Sequence, residues 1–192
     1  MESIKTVCLY CWANLWNNKI FEAEIIKLGR YLSENNVSVI YWGGNAGLMW
    51  RLADSVLESN WEIIGIIPRS IADEFGHKNL KKLYIVDSMH ERKQKMFELS
   101  DWFIAFPWWV WTLEEIFEII TRAKLGFHNK PFGFLNIEHY YDKLFDFLNF
   151  SVKKGFVKKT DMKNIFKESK IETLLKKFNE HNGKSIKKSI IF

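Results

Sequence analysis

The feature that most constrains this chain is a regular alternation. Short apolar, β-branched runs at residues 4–10, 37–41, 63–67, 83–86, 103–106 and 131–136 are separated by stretches with helical periodicity at 21–35, 46–59, 89–99, 113–125 and 140–150. Strand-length runs between helices of this size predict a parallel sheet whose both faces are covered, the doubly wound α/β class. Pro68 stops the third run, Pro107 closes the fifth, and Gly126 is placed to cap the helix at 113–125. A last amphipathic helix covers about residues 171–179. With no repeat, low-complexity segment or linker, residues 1–157 read as one domain. Residues 158–192 read as a basic helix and tail packed on it or trailing from it.

Composition narrows the function. Of 192 residues, 47% are hydrophobic, which supports a sizeable core. No apolar run reaches the ~18 residues that span a bilayer, and Met1-Glu2-Ser3-Ile4-Lys5 is no signal peptide, so a soluble cytoplasmic protein is expected. Cys8 and Cys11 lie in or beside an apolar strand rather than at a helix start, which fits two core residues better than a redox pair. The five histidines show no metal-ligand spacing. Residues 151–192 carry twelve lysines against four acids, net +8, so the first 150 residues sum to −3. These lysines alternate with Glu and Leu at helical spacing, as on a solvated helix face, which argues against nucleic-acid binding.

In open parallel sheets, ligands bind beyond the carboxyl ends of the strands. Three segments stand there. After the second strand comes Trp42-Gly43-Gly44-Asn45-Ala46-Gly47-Leu48-Met49, a glycine-rich turn opening a helix. Such a turn lets backbone N–H groups approach a phosphate, although an ordinary tight turn looks the same. After the fourth comes Asp87-Ser88-Met89-His90-Glu91-Arg92-Lys93. Here Asp87 is the expected helix cap, and Arg92 and Lys93 can meet an anion or stay solvated. After the fifth comes Pro107-Trp108-Trp109-Val110-Trp111-Thr112-Leu113-Glu114-Glu115, with three tryptophans where a compact phosphate loop is usual.

Together these segments resemble the LONELY GUY (LOG) family, also labelled lysine decarboxylase-like. Its Pro-Gly-Gly-x-Gly-Thr-x-x-Glu is matched at Pro107, Thr112 and Glu115, with Trp at all three glycines. Its Met-His-x-Arg-Lys is matched by Met89-His90-Glu91-Arg92-Lys93. Its Tyr-Gly-Gly-Gly-x-x-Gly-Leu-Met-Gly reads Tyr41-Trp42-Gly43-Gly44-Asn45-Ala46-Gly47-Leu48-Met49-Trp50 here, and its Cys-Gly-x-x-x-Gly-Asn reads Cys11-Trp12-Ala13-Asn14-Leu15-Trp16-Asn17. The likeness runs from about Lys5 to Phe156.

The resemblance implies a Rossmann-like fold, a homodimer and no cofactor. It also implies cleavage of the N-glycosidic bond of a nucleoside 5′-monophosphate, a cytokinin riboside monophosphate or AMP, to free base and ribose 5-phosphate. In that reading Gly43, Gly44, Gly47, Met89, Lys93, Trp108, Trp109, Trp111 and Thr112 line the substrate, with Met89 toward the base and 108–112 around the phosphate. Glu115 stabilises the oxocarbenium-like ribose and orients water, with Glu114 its competitor, and Arg92 steadies the developing charge. On the residues alone, Glu115 equally suits a helix N-terminus and Met89 a core position. The alternatives are a non-catalytic nucleotide or molybdenum-cofactor carrier on the same fold, or an inactive chain. No lysine sits in a cofactor-forming context that would suit a decarboxylase. The apolar helix at 113–125 is a candidate dimer interface, buried core being the other reading.

All nine tryptophans stand at glycine positions. Seven are at motif glycines (Trp12, Trp16, Trp42, Trp50, Trp108, Trp109, Trp111), while Trp61 and Trp102 are where relatives commonly carry Gly. Some bacteria read the codon UGA as glycine and other variant codes read it as tryptophan, so one gene read under the wrong code yields this pattern. The 23 Lys, 21 Ile and 14 Asn, against 5 Arg and 7 Ala, fit an AT-rich genome. Deliberate Gly→Trp engineering, or nine functional tryptophans, are the alternatives. Overpacking costs about 1–3 kcal/mol per site, and nine such changes rival a domain's whole ~5–15 kcal/mol. The chain with tryptophan at these positions is therefore expected to fold poorly or to bind no nucleotide.

Overall fold

The computed structural model describes residues 6–12 and 19–181. The chain forms two compact units, Met1–Trp102 and Phe103–Phe192.

In the first unit, β1 (Thr6–Tyr10), β2 (Ser38–Tyr41), β3 (Ile63–Pro68) and β4 (Lys82–Val86) run parallel in the order β4-β3-β2-β1. Val7 pairs with Val39, Ile40 with Ile64, and Ile66 with Tyr84. The strands alternate with α1 (Lys19–Glu34), α2 (Gly47–Glu58), α3 (Arg69–Phe75) and α4 (Met89–Leu99). The continuous apolar runs of β2 and β3 are buried along their whole length, as strands covered on both faces must be. Along α1, Ile25, Leu28 and Leu32 recur at helical spacing and are buried, and α1 packs on α2. Thr6 is joined to Asp101 across 95 residues. Its N–H donates to Asp101 Oδ2 at 3.1 Å, and the Asp101 N–H returns a bond to the Thr6 carbonyl at 3.1 Å.

In the second unit, β5 (Trp102–Ala105, beginning on the last residue of the first), β6 (Phe132–Leu135) and β7 (Ile165–Glu168) are parallel in that order. Phe103 pairs with Phe132, and Phe134 with Lys167. The helices are α5 (Val110–Lys124), α6 (Asp142–Lys153), α7 (Lys159–Met162) and α8 (Ile171–His181), with a 3₁₀ turn at Ile137–His139. The Phe134 ring meets Tyr141 at 4.9 Å and Phe145 at 5.4 Å, both edge-on, the geometry the ring quadrupole favours. Helix α8 buries Ile171, Leu174, Leu175 and Phe178 and leaves Lys176 and Lys177 outside, so this part of the basic region is an amphipathic helix.

The alternation read from the sequence is thus an α/β Rossmann-like fold. Gly126 adopts φ +79° after α5, and the N–H of Phe127 bonds to the Arg122 carbonyl at 2.9 Å, so it caps that helix as expected. Cys8 and Cys11 are both buried, with no disulfide between them. Five expectations change. Strand β7 and helices α3 and α7 were not foreseen. Helix α5 begins at Val110, inside the tryptophan-rich stretch, and α6 begins at Asp142 because the chain turns sharply first. Among the described residues no helix is long and apolar enough to cross a membrane.

Candidate functional site

Residues Gly43, Gly44, Gly47, Met89, Arg92 and Lys93 belong to the first unit. Gly43 has φ +78°, and a Cβ there would lie 2.8 Å from Leu83 Cδ1 and 3.2 Å from Gly65 Cα. This turn therefore needs glycine for its backbone angle and for its approach to β3. The segment after α3 fastens the turn. The Asn45 N–H donates to the Phe75 carbonyl at 2.8 Å, the His77 N–H donates to the Gly43 carbonyl at 2.9 Å, and Gly44 and Gly76 form an antiparallel bridge. From beneath, the Tyr41 hydroxyl reaches the Gly44 carbonyl at 3.4 Å, and burial pushes its phenol well above the ordinary value. Gly47, at φ +56°, opens α2.

His77 is a buried member of this arrangement that sequence reading missed. Its Nδ1 accepts the Asn79 N–H at 3.3 Å, so Nε2 carries the proton and faces Asp54 Oδ1 at 3.6 Å. Burial lowers its pKa, and Asp54 only partly opposes that. The available signal was Gly76, a glycine directly after a short helical segment.

Helix α4 is capped by Ser88, not Asp87 as expected. The Ser88 Oγ accepts the Glu91 N–H at 3.1 Å, and the Glu91 carboxylate accepts the Asp87 N–H at 2.9 Å, a variant of the capping box. Asp87 instead pairs with Arg69 at 3.2 Å. This cap directs the first turn of α4. Arg92 is 1% exposed, whereas Met89 is exposed and so is not a core position. Lys93 is half-buried. The Arg92 guanidinium lies over the Trp42 indole, 3.3 Å from its centroid, and Trp12 meets Trp42 edge-on at 4.3 Å. Arg92 therefore lies against Trp42, the residue that leads into the glycine-rich turn.

Residues Trp108, Trp109, Trp111, Thr112 and Glu115 belong to the second unit. Pro107 is buried at the end of the strand, and the chain enters α5 through Trp109, whose side chain makes no cap bond. Trp109 is 68% and Trp111 47% exposed, while Thr112 and Glu115, on the inner face of the first turns, are buried with Ile116 and Ile119. That inner face is core, which favours the core reading of the apolar helix. Glu114, the rival carboxylate, is exposed. Of the two, only Glu115 points with Thr112 to the inside. Trp108 buries its indole N–H without a hydrogen-bond partner among the described residues, and so does Trp61 in the first unit. Trp16 lies outside the described residues. Among them, no cluster of His, Cys, Asp and Glu could hold a metal ion.

Comparison with known proteins follows the same residues. The family described as "Possible lysine decarboxylase" matches residues 49–178. The chain is 35% identical over 181 residues to the cytokinin riboside 5′-monophosphate phosphoribohydrolase LOG1 of Arabidopsis thaliana, covering 94% of this chain and 85% of the relative. A probable cytokinin riboside 5′-monophosphate phosphoribohydrolase of Oryza sativa subsp. japonica, LOGL1, is 34% identical over 91% of this chain and 79% of its own length. Among solved structures, the molybdenum cofactor binding protein of Rippkaea orientalis superposes with TM-score 0.71 over 94% of this chain and 98% of its own, at 15% identity. The molybdenum cofactor carrier protein of Chlamydomonas reinhardtii gives 0.67 over 94% and 99%, at 12% identity. These two share the fold, and with the family match over residues 49–178 and the relatives at 34–35% identity, the chain belongs to the LONELY GUY (LOG) family of possible lysine decarboxylases.

Proposed function

We propose that the protein, carrying glycine where tryptophan is written, hydrolyses the N-glycosidic bond of a nucleoside 5′-monophosphate to free base and ribose 5-phosphate. The substrate is a cytokinin riboside monophosphate or AMP. The observation that carries this is identity of 35% across nearly the whole chain with a relative named for that reaction, together with the retained Pro107, Thr112, Glu115, Arg92 and Lys93.

In the mechanism, the β5–α5 loop holds the 5′-phosphate through backbone N–H groups, the Thr112 hydroxyl and the N-terminal end of the α5 dipole. The base departs with the bonding electrons, leaving positive charge on the ribose ring. The Glu115 carboxylate stabilises that charge and accepts a proton from the attacking water, whose oxygen forms the new bond to C1′; the departed base nitrogen takes up a proton from solvent, and Glu115 returns its own to solvent, so that one water is consumed. Arg92 and Lys93 supply positive charge for the nucleotide, and Met89 offers an apolar surface to the base. The same reading carries a homodimer and a cytoplasmic location.

Two features support glycine at the tryptophan positions. The indole of Trp42 covers a face of the Arg92 guanidinium that the reaction needs. Trp61 and Trp108 bury indole N–H groups without partners, whereas buried tryptophans usually satisfy theirs. The nine codons decide the matter: UGA at all nine, with ordinary glycine codons at the ten glycines, supports misreading, while UGG overturns it. The function is tested by incubating the full chain, with glycine at the nine positions, with AMP and with a cytokinin riboside monophosphate, and assaying free base. Release supports the hydrolase. Binding without release favours a carrier, a reading for which the solved neighbours supply the fold alone.

A further inference from the structure

The turn between β6 and α6 is strained and held by a dense set of bonds. Glu138 and His139 are consecutive L residues in the left-handed region, at φ 50° and 59°. Such residues persist only where their surroundings over-determine them. Here the Asn136 side chain bridges the turn: its Oδ1 accepts the Tyr141 N–H at 2.8 Å, and its Nδ2 donates to Asp142 Oδ1 at 2.8 Å. Lys167 on β7 donates to the same carboxylate oxygen at 2.8 Å, and His139 Nδ1 meets Oδ2 at 2.9 Å. Lys167, Asn136 and His139 together hold the Asp142 carboxyl down to about 2. The Asn136 N–H is tied to the Glu168 carbonyl at 2.7 Å.

All of this fixes one side chain. Tyr141 is 1% exposed, packs edge-on against Phe134, and donates its hydroxyl to the Phe106 carbonyl at 2.7 Å, across 35 residues. Phe106 is the last residue before Pro107 and the loop that enters α5. The orientation of the Phe106–Pro107 peptide sets the direction in which that loop leaves the sheet.

We propose that Tyr141 is a positioning residue for the β5–α5 loop, acting through the Phe106 carbonyl, with Asn136 and Asp142 fixing Tyr141 in turn. The role in substrate binding rests on the reading of this loop as the phosphate cradle; the hold on the loop does not.

The test uses Tyr141→Phe in the full chain, a change that keeps the ring in its packing. Hydrogen–deuterium exchange at residues 108–113 is expected to quicken about fivefold, the effect of losing one buried hydrogen bond, while β6 and α8 keep their protection. Unchanged loop exchange overturns the proposal, and so does equal loosening of all three segments, which marks a merely structural bond. In the chain with glycine at the nine positions, the same change is expected to raise the KM for AMP more than it lowers kcat. Unchanged KM and kcat in an active parent overturn the positioning role. A parent that neither binds nor cleaves AMP overturns the phosphoribohydrolase reading instead, and the exchange experiment still decides whether Tyr141 holds the loop.

Discussion

The Cζ of Arg92 lies 3.3 Å from the centroid of the Trp42 indole. A cation so placed gains from the ring quadrupole, but its face is spent on an indole rather than on a ligand. Glycine at 42 opens that face, and glycine at 108, 109 and 111 opens the entrance to α5.

This gives a direct expectation for ligand binding. The chain with tryptophan at all nine positions shows no AMP-dependent rise in melting temperature. With glycine at those positions, AMP at about a hundred times its Kd raises the melting temperature by roughly 5–10 °C. Equal stabilisation of both chains in a thermal-shift titration sinks the account of the tryptophans.

Replacing Glu115 by Gln in the glycine-bearing chain removes the negative charge and keeps the shape. We expect kcat to fall by about 10²–10³-fold with little change in KM, because the carboxylate acts on charge that exists only in the transition state. Glu114→Gln, on the exposed side of the helix, is the comparison: a larger loss there than at Glu115 would reverse the assignment.

Gly43→Ala tests the turn itself. The new methyl meets Leu83 Cδ1 at 2.8 Å and the Ile66 amide nitrogen at 3.1 Å, in a backbone conformation of φ +78°. Urea unfolding is expected to show a loss of about 1–3 kcal/mol. A neutral result would mean that the turn relaxes freely and is no rigid platform.

Two buried histidines make stability depend on pH. Burial lowers the pKa of both His77 and His128 from the ordinary value near 6.5. His128 Nδ1 accepts the Lys130 N–H at 3.1 Å, so its Nε2 donates to the Ile119 carbonyl at 2.9 Å, a neutral ring. Below pH ~6.5 the unfolded chain binds more protons than the folded one, so stability is full above that pH and falls as the pH drops toward the lowered values. The melting temperature should decline between about pH 7 and 5, and His128→Gln should flatten part of the slope. An identical slope in that variant would assign the effect elsewhere.

Much of the fold was legible because hydrophobic periodicity carries it. Met89–Leu99 matches in both bounds, and the second and third strands differ by one residue. What escaped notice lacks that signal. Strand β7 is four half-buried residues, two of them charged, in a lysine-rich stretch, and α3 buries none of its residues. The cap at Ser88 was misread because Asp and Ser are both good caps, and only geometry says which oxygen faces the helix. For the site, the motif residues were legible one by one. The clamps behind them were not: His77 holds Gly43 through its backbone, which any residue but proline supplies, and Tyr141 finds Phe106 only through the strained turn at Glu138 and His139.

The bond pair between Thr6 and Asp101 also bears on how the protein is made. Strand β1 is synthesised well before the residue that fastens its first position, which follows 95 positions later. At ordinary elongation rates that interval is about 5–20 s, far longer than local helices need to form. During it the start of β1 can pair with β2 at Ser38 but lacks the Asp101 bonds, so the nascent strand stays open to chaperones on that side.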